Sequence, residues 1–252
     1  MNNQEAVFEK LNLVYDPELD KSVLEMKFIE EVDIHQDTVT VVMRLPTFWC
    51  SPNFAFIMAE DIRNRVMELP WVSKVLLNLK DHCSSEEINK GVSEGKSFEE
   101  VFSNLANGDL NEVRKTFQIK SFKSRQEHLL RELINFGVDK ELLNLTIKDL
   151  NSHLAIRDKT VLLRYLTLRS ELGFSNHPND LAFLKHTGER IDPLKLSEHL
   201  LEARRTRLSM DFNANHCLGL LETRYQTQIS EEEKENKYES CSTTCVQHAI
   251  AF

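Results

Sequence analysis

Cys50 stands in the run Leu45-Pro46-Thr47-Phe48-Trp49-Cys50-Ser51-Pro52. Ser51 suits the N-cap of a helix and Pro52 its first residue. A thiol placed there faces unpaired backbone N–H groups and the positive end of the helix dipole, which stabilise a thiolate and lower its pKa. A thiolate binds iron, zinc or persulfide sulfur, and it also attacks electrophiles. A packed structural cysteine suits the same position, because cysteine is among the most buried residue types. Asp16-Pro17-Glu18 sets two acids on either side of a rigid residue. It offers oxygen ligands, or a simple turn capped by its own aspartate. His82-Cys83 joins two good ligands for soft metals, although a solvent-facing pair would read the same. Cys241-x-x-x-Cys245-x-x-His248 places three more on one face if that segment is helical. The group lacks the fourth ligand and the spacing of structural zinc sites.

Other residues carry less. His216-Cys217 precedes the apolar stretch Leu218–Leu221 and fits core packing or a cap. Arg204, Arg205 and Arg207, with Arg190 and Lys195 nearby, form a solvated basic face or a dock for an acidic partner. Gly91-x-x-x-Gly95-Lys96-Ser97 imitates a phosphate loop but has three residues between its glycines where the motif needs four, and no strand before it. Ser97 is better placed as the N-cap of a capping box with Glu100. No G-x-S-x-G or H-E-x-x-H occurs, so a hydrolase has no handle.

The elements that must position these residues follow from periodicity. Ala6, Val7, Leu11, Leu13 and Val14 give a helix that stops before Asp16-Pro17. Met26, Phe28, Val32 and Ile34 read as one strand, then His35-Gln36-Asp37 as a turn, then Val39, Val41, Met43 and Leu45 as a second strand. Phe54, Ala55, Met58, Ile62, Val66 and Leu69 recur at helical spacing until Pro70, and Val72–Leu79 is a third strand. From Arg125 to Tyr225 the pattern is helical: one helix ending near Gly137, one over Leu142–Leu150, one over Val161–Leu172, and two more over Leu196–Met210 and Cys217–Tyr225. The expected class is α+β. A small two-layer α/β domain over residues 1–83, with a three-stranded sheet and two helices, precedes a helical connector over 84–120 and an α-helical extension over 121–225. Residues 226–252 read as an acidic, flexible tail.

Bulk composition narrows the partners. The net charge is −9, which opposes the counterion release that drives non-specific nucleic-acid binding. The first 120 residues carry 13 basic and 21 acidic side chains, whereas residues 121–225 carry 16 and 14. Seven glycines in 252 residues leave little material for phosphate-cradling loops. No apolar run is long enough to span a membrane, and the first residues lack the pattern of a signal peptide. Five cysteines, an odd and sparse number, point to thiols in a reducing cytoplasm.

Taken in order, Val14-Tyr15-Asp16-Pro17-Glu18-Leu19, a hairpin, Thr47-x-x-Cys50 opening a helix, and Leu69-Pro70-x-Val72 leading to a strand resemble the SufT- and PaaD-like iron–sulfur assembly family over roughly the first eighty residues. The resemblance implies a non-enzymatic role in building or delivering iron–sulfur clusters and iron centres. It makes Cys50, Asp16, Glu18 and Thr47 the site residues. Cys50 would be the transient ligand of iron, cluster or sulfur, and the two acids would shape the pocket or offer oxygen ligands. His82, Cys83, Cys241, Cys245 and His248 would be auxiliary ligands. Partners would be other assembly proteins or a client iron enzyme. The run Leu45–Phe56, with Asp81-His82 and Glu86-Glu87-Ile88-Asn89 later, looks like a long variant, and such long proteins resemble accessory factors associated with bacterial diiron monooxygenases. One cysteine is a poor cage for a cluster that wants four thiolates, so a homodimer or a client-shared cluster would complete it. The sequence departs from the family in its Phe48-Trp49, where proline-glycine is usual, in Ser51 between the cysteine and the proline, and in Trp71, where glycine is common. Two other classes remain open: a metal-free, chaperone-like adaptor that binds a client, and a thiol enzyme with Cys50 as nucleophile.

Overall fold

The computed structural model describes residues 2–103, 110–138 and 142–225. The chain begins with α1 (Asn3–Leu11), closed at its start by a capping box between Asn2 and Glu5. Two short strands, β1 (Tyr15–Asp16) and β2 (Lys21–Ser22), then form an antiparallel hairpin around Pro17-Glu18. The main sheet has the order β3-β4-β5, with β3 (Ile29–His35) antiparallel to β4 (Thr38–Arg44) and β5 (Lys74–Lys80) parallel to β4. Gln36-Asp37 make the tight β3–β4 turn, with Gln36 in the left-handed region at φ 57°. The strand expected from Met26 begins only at Ile29. Met26 and Phe28 are buried, but in the turn that leads into β3.

Between β4 and β5 the chain crosses over through α2 (Pro52–Met67). Its Ala55, Phe56, Ile57, Met58, Ala59, Ile62 and Val66 are buried with Val39, Val41, Met43, Val75, Leu77 and Leu79 of the sheet in one core. Each fully buried large apolar side chain there adds roughly 1.5–3 kcal/mol. Two more helices, α3 (Ser85–Ser93) and α4 (Phe98–Val101), close this core. Gly91 lies within α3 against Val101, and Ser97 and Glu100 form the expected capping box, so no phosphate loop exists there.

The rest is helical. A single helix, α5 (Leu110–Asn135), runs unbroken past residue 120. The helix expected over Leu142–Leu150 is a short 3-10 turn, Leu142–Asn144, followed by α6 (Ile147–Ser152), whose N-cap is Thr146. The third, α7 (Lys159–Glu171), is capped by Asp158 and ends before Gly173, which has φ 82°. The two helices expected at the end are one, α8 (Leu196–Tyr225). Residues 211–216 break the apolar rhythm but hold neither glycine nor proline. Ala214 packs inward, and Asp211 pairs with Arg207 one turn back at 2.9 Å, so the helix continues.

A second core, built on Phe122, Leu129, Leu133, Tyr165, Leu168 and Phe183, belongs to α5, α6, α7 and the segment after α7. Leu110 at the start of α5 and Leu221 near the end of α8 belong instead to the first core. Leu196 and Leu200 at the start of α8 pack on the second. The two long helices are therefore antiparallel and carry both cores. Glu127 of α5 is buried between Arg131 and Arg207 of α8, the latter at 2.7 Å.

Candidate metal-sulfur site

Pro52 opens α2 as expected, but the Ser51 side chain makes no capping hydrogen bond. Cys50 is half-buried immediately before this N-terminus. Thr47 Oγ1 lies 3.3 Å from Cys50 Sγ, in a hydrogen bond that either group can donate. The loop carrying the thiol is pinned along its backbone. The Cys83 N–H donates to the Phe48 carbonyl at 3.0 Å. His82 Nε2 lies 2.7 Å from the Cys50 carbonyl oxygen, and the Ser84 N–H donates to His82 Nδ1 at 3.1 Å. An Nδ1 that accepts leaves the ring proton on Nε2, which then donates to Cys50. Burial pushes the His82 pKa down. The Cys50 carbonyl opposes this, and the charge of Arg224 adds to it.

His82 thus comes beside Cys50, but both ring nitrogens are engaged and neither is directed at the sulfur. It fixes the loop rather than offering a metal ligand in this arrangement. Cys83 is exposed, and it contributes to the loop through its backbone. Cys241, Cys245 and His248 lie outside the described residues.

Asp16 sits at the end of β1 and is only 7% exposed. Its Oδ1 accepts from the backbone N–H groups of Glu18, at 2.8 Å, and Leu19, at 2.9 Å. That is the local turn capped by aspartate, and it is buried. Desolvation outweighs these two bonds and pushes the Asp16 pKa up to about 7, with the charge of Glu18 adding to the rise.

The hairpin holding Asp16 is gripped by the helical extension. Asp20, buried and at φ 50°, pairs with Arg125 of α5 at 2.6 Å and with Arg164 of α7 at 3.3 Å. The Arg164 guanidinium also lies 4.0 Å from the centre of the Tyr15 ring.

Cys217, which the sequence assigns to packing, is in the same neighbourhood. Burial first, and then the charges of Asp16, Cys50 and Glu18, push its thiol up to about 11. Three of the four residues that the resemblance singles out therefore lie within electrostatic reach of one sulfur on α8. Periodicity could not show this, because it needs α8 to be one helix returning to the first core.

Beside the half-buried thiol, Phe48 and Trp49 stand out as an edge-to-face pair with ring centres 4.9 Å apart. Trp49 is 78% exposed. Among the described residues, no three or more His, Cys, Asp and Glu side chains are arranged to hold a metal ion. None of the described helices is long and apolar enough to cross a membrane.

The site is thus a small α+β domain presenting a thiol at a helix N-terminus and a buried carboxyl in the β1–β2 hairpin. Residues 4–77 match the model of the family described as iron-sulfur cluster assembly protein. The match runs from α1 into β5 and contains Asp16, Glu18, Thr47 and Cys50. It supports a role in iron–sulfur cluster assembly, and the family it matches is of an assembly or accessory type. His82, Cys83 and the whole helical extension lie beyond it. No curated protein matches the chain, and no solved structure matches it.

Proposed function

We propose that this protein is an accessory factor for iron–sulfur cluster or iron-centre assembly. It binds iron, cluster or sulfur at Cys50 and passes it to a client iron enzyme, with a diiron monooxygenase as the client class. The observation that carries this reading is the Cys50 loop. Its sulfur meets Thr47 at 3.3 Å and its backbone is fixed by His82 at 2.7 Å, inside the segment that matches the assembly family. A thiolate at a helix N-terminus is a ligand for soft or borderline metals. Asp16 and Glu18 shape the pocket or offer oxygen ligands, and Asp16 turns into an anion that favours a cation as pH rises through about 7. The site is open and incomplete, which suits cargo that must leave, and a second copy or the client supplies the remaining ligands. Cys83 and the Cys241–Cys245–His248 group are auxiliary thiols and imidazole for cargo in transit. The chain works in a reducing compartment, the cytoplasm, where its cysteines stay free.

Anaerobic reconstitution with iron and sulfide, read by absorbance and metal count, tests this. Wild type gains iron and Cys50→Ser loses most of it; equal iron in both would refute the role of Cys50.

The exposed Phe48-Trp49 pair favours one other reading, a metal-free adaptor that docks a client through this aromatic tip. That reading requires Cys50→Ala to bind the client and restore its activity in full.

A further inference from the structure

The face of α8 turned away from both cores carries an apolar stripe. Ala203, Met210, Ala214 and Leu221 are buried on one side of the helix. On the other side Leu201, Leu208 and Phe212 are 50%, 48% and 71% exposed. Together with Arg205 they follow one another at intervals of four, three and four residues, which keeps side chains on one helix face. Leu194, in the turn just before α8, lies seven residues ahead of Leu201 and is exposed as well. Single exposed apolar side chains are ordinary. A row of them along about 16 Å of helix marks a contact surface. Two cations border the row. Arg207 pairs with Glu127 and Asp211, whereas Arg204 and Arg205 are exposed and form no ion pair among the described residues.

The spacing says what covers this face. Intervals of four, three and four read the same from either end. Two copies of α8 laid antiparallel, about a two-fold axis between Thr206 and Arg207, set Leu201 against the partner's Phe212 and Arg205 against the partner's Leu208. Each contact then occurs twice, which is the self-complementarity an isologous interface requires. The same register sets Leu194 over the partner's Gly219, and Gly219 has open space where a side chain would stand. At the flank, Arg204 comes level with the partner's Asp211 to within about 3 Å along the axis. Asp211 meets Arg207 through Oδ2 at 2.9 Å, and its side chain is 41% exposed, so it has room for a second guanidinium. A parallel pair would set Arg204 and Arg205 against their own copies.

We propose that this chain forms an antiparallel homodimer through the outer face of α8. The inference is independent of the function proposed above. One helical seam belongs to the small class of interfaces, below about 1,200 Å2, so the dimer is concentration-dependent, with Kd in the range of roughly 1–100 µM. The axis lies about 28 Å along α8 from Tyr225, which sets the two Tyr225 ends about 55 Å apart. Arg224, next to Tyr225, bonds the Leu45 carbonyl at the start of the Cys50 loop, so the two Cys50 loops stand towards opposite ends of the pair. In this dimer the second copy does not complete the Cys50 site, which leaves that to the client.

Sedimentation of the full-length chain under reducing conditions, from about 1 to about 300 µM, brackets the expected range. The parent passes from monomer to dimer. Leu201→Asp and Phe212→Asp, both at exposed positions, remain monomeric with an unchanged urea midpoint. Arg204→Glu and Asp211→Arg each turn two opposite-charge contacts into two like-charge contacts and weaken the dimer roughly tenfold. Mixing these two variants restores both contacts and brings the dimer back. That recovery does not depend on any apolar substitution being tolerated. A parent that stays monomeric throughout overturns the inference. A dimer that withstands Leu201→Asp and Phe212→Asp also overturns it and places the contact elsewhere on the chain. Arg204→Glu and Asp211→Arg dimers as tight as the parent overturn the antiparallel register.

Discussion

Asp16 makes the folded α/β domain sensitive to pH in a direction opposite to that of an ordinary paired carboxylate. Its pKa rises from 3.8 to about 7, which corresponds to a penalty of roughly 4 kcal/mol on the ionised form in the fold. Between about pH 4 and pH 7 the folded chain keeps a proton that the unfolded chain gives up. The contribution of Asp16 is therefore intact below about pH 4 and is lost as pH rises through about 7.

Asp16→Asn removes this titration. The amide oxygen still accepts from the Glu18 and Leu19 N–H groups, which the carboxyl meets at 2.8 and 2.9 Å. The new buried NH2 lacks a partner, at a cost of about 1–3 kcal/mol. At pH 4 only that cost remains, and the variant is less stable by about 1–3 kcal/mol. At pH 8 the penalty of roughly 4 kcal/mol is removed, and the variant becomes more stable by about 1–3 kcal/mol. Urea unfolding of the metal-free, reduced chain, followed by fluorescence, reads this. Trp49 and Trp71 are the two tryptophans, and Trp71, which packs against the first core, reports its unfolding. A difference between variant and wild type that stays constant from pH 4 to pH 8 would refute the argument, because burial of a charge is its whole basis.

Two further substitutions probe how the site is held. Asp20→Asn removes the anion shared by Arg125 and Arg164, whose side chains are 14% and 13% exposed, and leaves Arg164 only Glu171 at 3.5 Å. Breaking such a buried pair costs about 3–5 kcal/mol, seen as a lower urea midpoint, whereas Glu68→Gln at the exposed Lys10 pair changes stability by less than about 1 kcal/mol. His82→Ala leaves the Cys50 carbonyl and the Ser84 N–H unpaired, at about 1–3 kcal/mol. It also frees the Cys50 loop, so the alkylation rate at Cys50 changes while that at exposed Cys83 does not.

The residues that could be read along the chain were those whose reasons are local. Pro52 after Ser51 announces α2, the alternation from Val39 to Leu45 announces β4, and Ser97 with Glu100 announces a cap. Each is decided within about one turn or one strand, which is where periodicity and capping act. Cys50 and Asp16 stood out for the same reason, one preceding a helix and the other closing a turn. What could not be read depends on long-range packing. The apolar rhythm of residues 196–225 breaks at 211–216 because that stretch passes from the second core to the first, not because the helix ends. The inward packing of Ala214 and the Arg207–Asp211 pair help carry it through.

That continuity changes what the extension does. Through Arg125 and Arg164, α5 and α7 hold the hairpin bearing Asp16. Through Arg224, α8 holds the start of the Cys50 loop at Leu45, and Asp81 next to the His82-Cys83 segment that pins that loop. Both halves of the site are therefore gripped from outside residues 4–77, in addition to the first core that joins the hairpin, α2 and the sheet. A movement of α8 against the sheet acts on the Leu45 and Asp81 carbonyls that Arg224 holds, and so reaches the site without any change within the α/β core.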